Sequence, residues 1–426
     1  MKNTAVAVVT TVIMLTMVPG PAEAADAYIV AEGDAHAEIV TASQPPRAAR
    51  LAATELQKYL QKISGAKLPI VNKPASTKSG KIFVGESNFT RELGIAAEGL
   101  DYGAYRMVSG DNWLALLGHD EDFKPVEPWA RSHGHWFNKK RAEWDALTGS
   151  KWRNPLAQKT HRFYNEELDL WRYDEGGSLN AVYGFLRDLG VRWYMPGELG
   201  EIVPQQKTIR LPRIDRTVRP AFKVRKFNFD RYHAASVADI LWARRLGPHR
   251  VFTLEHHGIR YLTEREEMKQ QHPKYYALRS DGTRQSGKKA NACLSSEGLF
   301  EENVKFVRTI LDLYDAPYVS VMPADGFTQI CQCEQCKDQG TLDRGSPGWY
   351  SDYVWGYVNR VAAAVAETHP DKKIICGAYS TYRLPPTKIE RLHPNVLVGI
   401  SNGRPRYTLN DQRRAELNQL RQAWLA

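Results

Sequence analysis

Past its first two dozen residues the chain has no apolar run of membrane-spanning length, so the body of the protein is expected to be soluble. Runs of like charge are missing too. The formal net charge is +10, yet lysine and arginine are scattered, and no basic stripe of a nucleic-acid binder is present. A basic surface of this kind favours acidic polymers or anionic sugars, or simply serves solubility. Cysteine is scarce: there are five, and three of them crowd into Cys331-Gln-Cys-Glu-Gln-Cys336. The odd count leaves at least one thiol unpaired unless a metal takes several.

The one long apolar stretch, Ala5 to Val18, follows Lys2 and is broken by Pro19-Gly-Pro21. Ala22-Glu-Ala24 fits a small-x-small cleavage site, so residues 1–24 read as a signal peptide. A secreted or periplasmic chain starting near Ala25 is expected, with no stable membrane span. At 426 residues the chain is long enough for two or three domains.

Residues 25–211 read as one α/β domain. Leu51, Leu56, Tyr59, Leu60 and Ile63 recur at near-helical spacing after Pro45-Pro46, and Gly65 stops the run. Ile82-Phe-Val84 and Trp113 to Leu117 are short buried strands. A second helix is expected from Ser178, as N-cap, to Gly190. Alternating strands and helices predict a sheet with helices packed on it. An insertion, about 119–174, breaks this pattern and carries Trp129, Trp136, Trp144, Trp152 and Trp171. A long irregular segment in a compact domain is commonly functional, and this one is expected to reach over a neighbouring cleft.

Pro212 to Pro220 reads as a linker. Residues 221–426 then alternate: strands at Phe222–Phe229, Val251–Glu255, Ala292–Leu294, Tyr318–Met322, Ile374–Ala378 and Val396–Ile400, with helices between and a last helix from Asp411 to Leu425. This is the βα spacing of a TIM-type barrel. Six units are visible instead of eight, and the segment is shorter than the roughly 250 residues of a full barrel, so an incomplete (β/α)8 barrel, truncated at its C-terminus, is expected. The fold class is therefore α/β, an N-terminal α/β sandwich domain followed by that partial barrel.

Barrel enzymes keep their chemistry where strands end. Asp325, in Met322-Pro-Ala-Asp-Gly326, is presented at such an end, although Asp-Gly is also a common turn pair. Glu255 holds the same place on the second strand, in Leu254-Glu-His-His257, and otherwise reads as a charged loop residue. Adjacent histidines on extended backbone point to opposite sides, so His256 and His257 are read as sugar hydrogen-bonding groups and not as a metal pair. Arg225, Asp230, Tyr379 and Asn402 sit at or near other strand ends and complete the substrate-binding set. Cys331, Cys333 and Cys336 are read first as a structural disulfide, with Cys293 or Cys376 as partner, then as a structural zinc site, then as free thiols.

Two stretches resemble the N-terminal domain of alpha-glucuronidase-type glycoside hydrolases: Leu51-Ala-Ala-Thr-Glu-Leu-Gln-Lys-Tyr-Leu-Gln-Lys-Ile-Ser-Gly-Ala-Lys-Leu-Pro-Ile70 and Gly177-Ser-Leu-Asn-Ala-Val-Tyr-Gly-Phe-Leu-Arg-Asp-Leu-Gly-Val-Arg-Trp-Tyr-Met-Pro-Gly-Glu198. The second half resembles an uncharacterised glycoside-hydrolase-like barrel family often joined to that domain. The resemblance rests on His272-Pro-Lys-Tyr-Tyr-Ala-Leu278, Cys293-Leu-Ser295, Pro323-Ala-Asp-Gly326, the three-cysteine cluster and Ser351-Asp-Tyr-Val-Trp355. It implies a non-catalytic first domain and a barrel that cleaves O-glycosidic bonds in an oligosaccharide or polysaccharide, without a cofactor beyond the zinc reading. Glycoside hydrolysis commonly uses two carboxyl groups. The resemblance places the acid after the fourth strand, at Asp325, and Glu255 is the substitute for its partner. No Asp-Glu pair occurs there, which weakens a hexosaminidase version. A non-catalytic glycan-binding protein, or an inactive fragment, is the alternative.

Overall fold

The protein is described by a computed structural model covering residues 27–75, 80–126, 135–155, 164–226, 236–287, 290–401 and 410–425. The expected signal peptide, Asp230 and Asn402 lie outside these residues.

The first half is built on a six-stranded sheet. Its strands are β1 (Ala37–Val40), β2 (Ile70–Val71), β3 (Gly80–Val84), β4 (Tyr105–Ser109), β5 (Trp113–Gly118) and β6 (Asp215–Val218), ordered β6-β4-β5-β3-β1-β2. The centre is parallel, whereas β4 and β6 add on antiparallel. Helices α1 (Arg47–Ser64) and α3 (Gly177–Asp188) lay Leu56, Tyr59, Leu60, Val182, Tyr183 and Leu186 on one face. A smaller cluster including Phe83, Ile95, Leu100 and Leu117 covers the other.

Two expectations change here. The stretch read as a linker contains β6, which pairs Asp215 with Val108 and Val218 with Tyr105. Its side chains are mostly exposed, as on an edge strand, so it lacks the apolar alternation that would have marked it. Ser178 is not the cap of α3. Its hydroxyl accepts the Gly118 N–H at 3.1 Å, tying the helix start to the end of β5. A Cβ on Gly177 would stand 2.7 Å from the Gly118 Cα, so this crossing admits only glycine.

The insertion contains α2 (His135–Thr148). Trp144 and Trp152 have no exposed surface and belong to the core of the second half. Trp152 meets Phe306 edge-on, ring centroids 5.2 Å apart, and its indole N–H donates to Glu302 at 2.7 Å. Trp171 is 5% exposed, and the side chains of Trp129 and Trp136 fall outside the described set. The insertion therefore packs as a strap against the second half, and its three described tryptophans have no free face for a sugar.

In the second half, β7 (Tyr318–Ser320), β8 (Lys373–Ala378) and β9 (Val396–Ile400) form a parallel sheet in that order. Leu254 adds a parallel bridge to Val319 on the outer side of β7. Helices α5 (Glu297–Tyr314) and α6 (Ser351–Ala366) cover one face, packing Phe306, Val307, Ile310, Val354, Val358 and Val361 with Val319, Ile374, Cys376 and Ala378. Helix α4 (Val237–Arg245) falls between the first two expected strands, and helix α7 (Asp411–Leu425) matches the expected last helix.

The sheet pairing does not confirm the incomplete barrel, and one of its expected strands is corrected. Among the described residues the parallel array is an open sheet, not a closed barrel. Ala292–Leu294 is not one of its strands: Ala292 bridges antiparallel to Tyr276, and the 254 segment lies directly beside β7. Of the first expected strand, Arg225 makes an isolated antiparallel bridge with His249, and residues 227–229 lie outside the described set.

Candidate functional site at the carboxyl ends of the parallel strands

Three neighbouring strand ends converge. Residues 254–259 run along β7, with the Ser320 N–H donating to Leu254 O at 2.7 Å and the Ile259 N–H to Met322 O at 3.3 Å. His257 turns the chain at φ 49°, a conformation that disfavours a side chain. Gly258 then presses so close that a Cβ there would lie 1.5 Å from the Ser320 carbonyl oxygen. This approach aims the His257 ring at the end of β7, where Nδ1 is 2.6 Å from Pro323 O. A carbonyl only accepts, so Nδ1 carries the proton and Nε2 is the basic nitrogen.

Beyond β7 the chain continues through buried Met322 and Ala324 to exposed Asp325, which is followed by Gly326 at φ 85°. Beyond β8 stands Tyr379, ahead of Ser380 at φ 49°. The Tyr379 hydroxyl donates to Asp325 Oδ1 at 3.3 Å, and its ring meets His257 edge-on at 6.4 Å. The Asp325 carboxylate, helped by burial, pushes the Tyr379 phenol up, so it remains a donor. Strained backbone thus follows or forms two of the three strand ends, the pattern of a built site. Sequence reasoning named Asp325, His257 and Tyr379, and the structure brings them into one group.

Glu255 and His256 stand elsewhere. They line a cavity of about 350 Å³ with Lys226, Tyr173, Arg172 and Tyr318, and Asp325 is not part of its wall. Glu255 pairs with the Lys226 ammonium and accepts from Thr253 Oγ1 at 3.2 Å and from the Tyr318 hydroxyl at 3.3 Å. Burial pushes its carboxyl up, but Lys226 outweighs that and holds it below the ordinary range. Lys226 and Tyr318 were not singled out in the sequence. They come from a loop and from the opposite end of β7, with no local pattern to mark them.

Arg225 faces the first half instead of a site. Its guanidinium donates to Gly247 O at 2.8 Å, Phe222 O at 2.6 Å and Tyr102 O at 2.9 Å. Those donors join the two halves and are not offered to a substrate. Arg245 does the same more deeply, 3% exposed, paired with Glu55 at 2.9 Å and Glu201 at 3.2 Å.

All five cysteines are free thiols. The sulfurs of Cys331, Cys333 and Cys336 are joined by that of Cys293, all four lying within 4.8 Å of one another. The fourth member, 38 positions upstream of Cys331, is brought in by the fold.

The geometry defines a mixed α/β protein with a polar site at the ends of parallel strands. The family described as a domain of unknown function, DUF4838, matches residues 195–426, more than half of the chain, and the protein belongs to it. No curated protein matches the sequence. Among solved structures, the GH20 beta-N-acetylhexosaminidase of Streptomyces coelicolor A3(2) is 11% identical, with 90% of this chain and 69% of that chain covered and a TM-score of 0.31. The beta-N-acetylhexosaminidase of Bacteroides fragilis NCTC 9343 is 12% identical, covering 95% and 73%, TM-score 0.33. A family GH115 4-O-methyl-alpha-glucuronidase with specificity for decorated arabinogalactans is 9% identical, covering 85% and 44%, TM-score 0.40. Scores this low do not by themselves establish a shared fold.

Proposed function

We propose that the protein is an exported carbohydrate-active enzyme that hydrolyses an O-glycosidic bond, with Asp325 as the general acid. The observation that carries this reading is the meeting of Asp325, Tyr379 and His257, each from a different one of three adjacent parallel strand ends. Asp325 would protonate the leaving oxygen, and the Tyr379 hydroxyl would hold its carboxyl group in place. Glu255, kept ionised by Lys226, is the candidate for the second carboxylate by charge state alone, because it lines a cavity separate from Asp325. His256, beside it in the cavity, and His257 through Nε2 would take sugar hydroxyls. No helix among the described residues is long and apolar enough to cross a membrane.

The test is a hydrolysis screen of the purified chain on oligosaccharides and polysaccharides, with Asp325→Asn and Glu255→Gln alongside. Turnover should fall by about 100-fold or more in Asp325→Asn while sugar binding changes little. Unchanged turnover in Asp325→Asn refutes the assignment. One observation favours a second reading, non-catalytic glycan binding: Glu255 is already committed to Lys226, Tyr318 and Thr253, in a cavity whose wall excludes Asp325. Binding on a glycan array with no sugar released would select it.

A further inference from the structure

We propose that Cys293, Cys331, Cys333 and Cys336 form a tetrathiolate zinc site that fixes the loop between Asp325 and the cysteine cluster. Four sulfurs converge here, and a disulfide needs only two. Zinc–sulfur bonds of about 2.3 Å place the corners of a regular tetrahedron about 3.8 Å apart. The sulfur of Cys293 is 3.6 Å from that of Cys336 and 3.8 Å from that of Cys333, and all four sulfurs lie within 4.8 Å of one another. Three of the four side chains are buried and the fourth is half-buried, so the site is closed as structural zinc sites are.

The surroundings are built for thiolates. The Tyr353 hydroxyl accepts the Leu294 N–H at 2.9 Å and stands 3.1 Å from the Cys336 sulfur, within reach to donate its proton to a thiolate there. The Leu278 N–H donates to the Cys331 sulfur at 3.2 Å. Donors of this kind disperse the charge of a metal-bound thiolate and orient it. Within Cys333-Glu-Gln-Cys336 the Cys333 carbonyl accepts the N–H groups of Cys336 and Lys337 at 2.9 and 3.0 Å, folding both sulfurs to one side.

The consequence is mechanical. Cys293 precedes helix α5, whereas the other three close the loop that begins at Asp325. The cysteine loop is also held to a further segment by the Gln332 N–H, which donates to Leu278 O at 2.9 Å. Phe327 and Ile330 of the loop are buried, and Thr381, past β8, donates to Phe327 O at 2.7 Å. A zinc ion would lock this assembly. The inference stands whether or not Asp325 is catalytic.

Elemental analysis and native mass spectrometry of the purified full chain test it. The expected result is about one zinc per chain. Cys293→Ser and Cys333→Ser should lose at least nine-tenths of the metal, whereas Cys376→Ser, on β8 and outside the cluster, should keep it. Cobalt exchanged into the site should give the intense visible bands of a tetrahedral tetrathiolate. If the serine variants fail to fold, the wild-type chain decides alone. Iron in place of zinc, no bound metal, or a mass two hydrogens low from a disulfide among these four would overturn the proposal.

Discussion

The two sheets of this protein solve burial differently. The six-stranded sheet of the first half is covered on both faces, and its buried charges are spent on structure: Glu38 on Lys81 at 3.1 Å, Asp174 on Arg47 at 2.6 Å, and Glu55 on Arg245 of the second half at 2.9 Å. Among the described residues, helices cover the three-stranded sheet of the second half on one face alone, and on the other only its β7 side is buried, at Ser320. On that other face, Leu397 is 39% exposed, and Ile375, Gly377 and Gly399 are half-buried. Parallel sheets are normally covered on both faces. The comparison teaches where function can sit. Polar groups in the first half are consumed by structure. In the second half, Asp325, Tyr379 and His257 stand at open strand ends, and Glu255 lines a cavity.

The largest effect should come from the closest approach. Gly258→Ala sets a methyl group against the Ser320 carbonyl, beyond the ~1–3 kcal/mol of ordinary overpacking, and should abolish soluble protein or sharply lower Tm. Next is the junction. Arg245→Leu leaves buried Glu55, among the described residues, with the exposed Lys58 as its one cation, at 3.8 Å, while Glu201 keeps Lys62 at 2.7 Å, and should cost about 3–5 kcal/mol in chemical denaturation. A smaller contrast separates the faces of the second sheet. Ile374→Ala, in the core, should cost about 2–5 kcal/mol, whereas Leu397→Gln, on the open face, should stay within about 0.5 kcal/mol. Equal losses would mean that the open face is covered in solution.

The smallest effect is a pH dependence of the strap. Burial pushes the Asp145 carboxyl up, but Arg265 at 2.9 Å and Lys151 at 3.0 Å outweigh it and hold it below the ordinary range. A depressed folded value stabilises above the unfolded pKa of about 3.9 and is lost as pH falls through the folded value. Between about pH 5 and about pH 3 the wild type should therefore lose more Tm than Asp145→Asn does. Parallel curves would contradict this.

Much of the second half was legible because its elements carry their own periodicity. The apolar stripe of α5, the buried run of α6 and the short apolar strands β8 and β9 mark themselves. What stayed hidden depends on distant partners. The edge strand β6 is polar and takes its form from β4. Trp144 and Trp152 show no period because they fill the core of another region. The Tyr276–Ala292 bridge mimics a barrel strand in sequence yet runs antiparallel. In the site, strand-end position singled out Asp325, His257 and Tyr379, whereas Lys226 is placed only by tertiary contact, and the choice of Cys293 over Cys376 as the fourth cysteine is made only by the fold. Arg225 looked free in sequence because three backbone carbonyls leave no sequence signature.

The central claim is that Asp325 delivers a proton at the strand ends. Its most direct test is the dependence of kcat on leaving group for Asp325→Asn, measured on natural glycosides and on aryl glycosides with acidic phenols. The account predicts a large loss on the natural glycosides that nearly vanishes on the activated ones, which need no proton. An equal loss on both, or none on either, would contradict it.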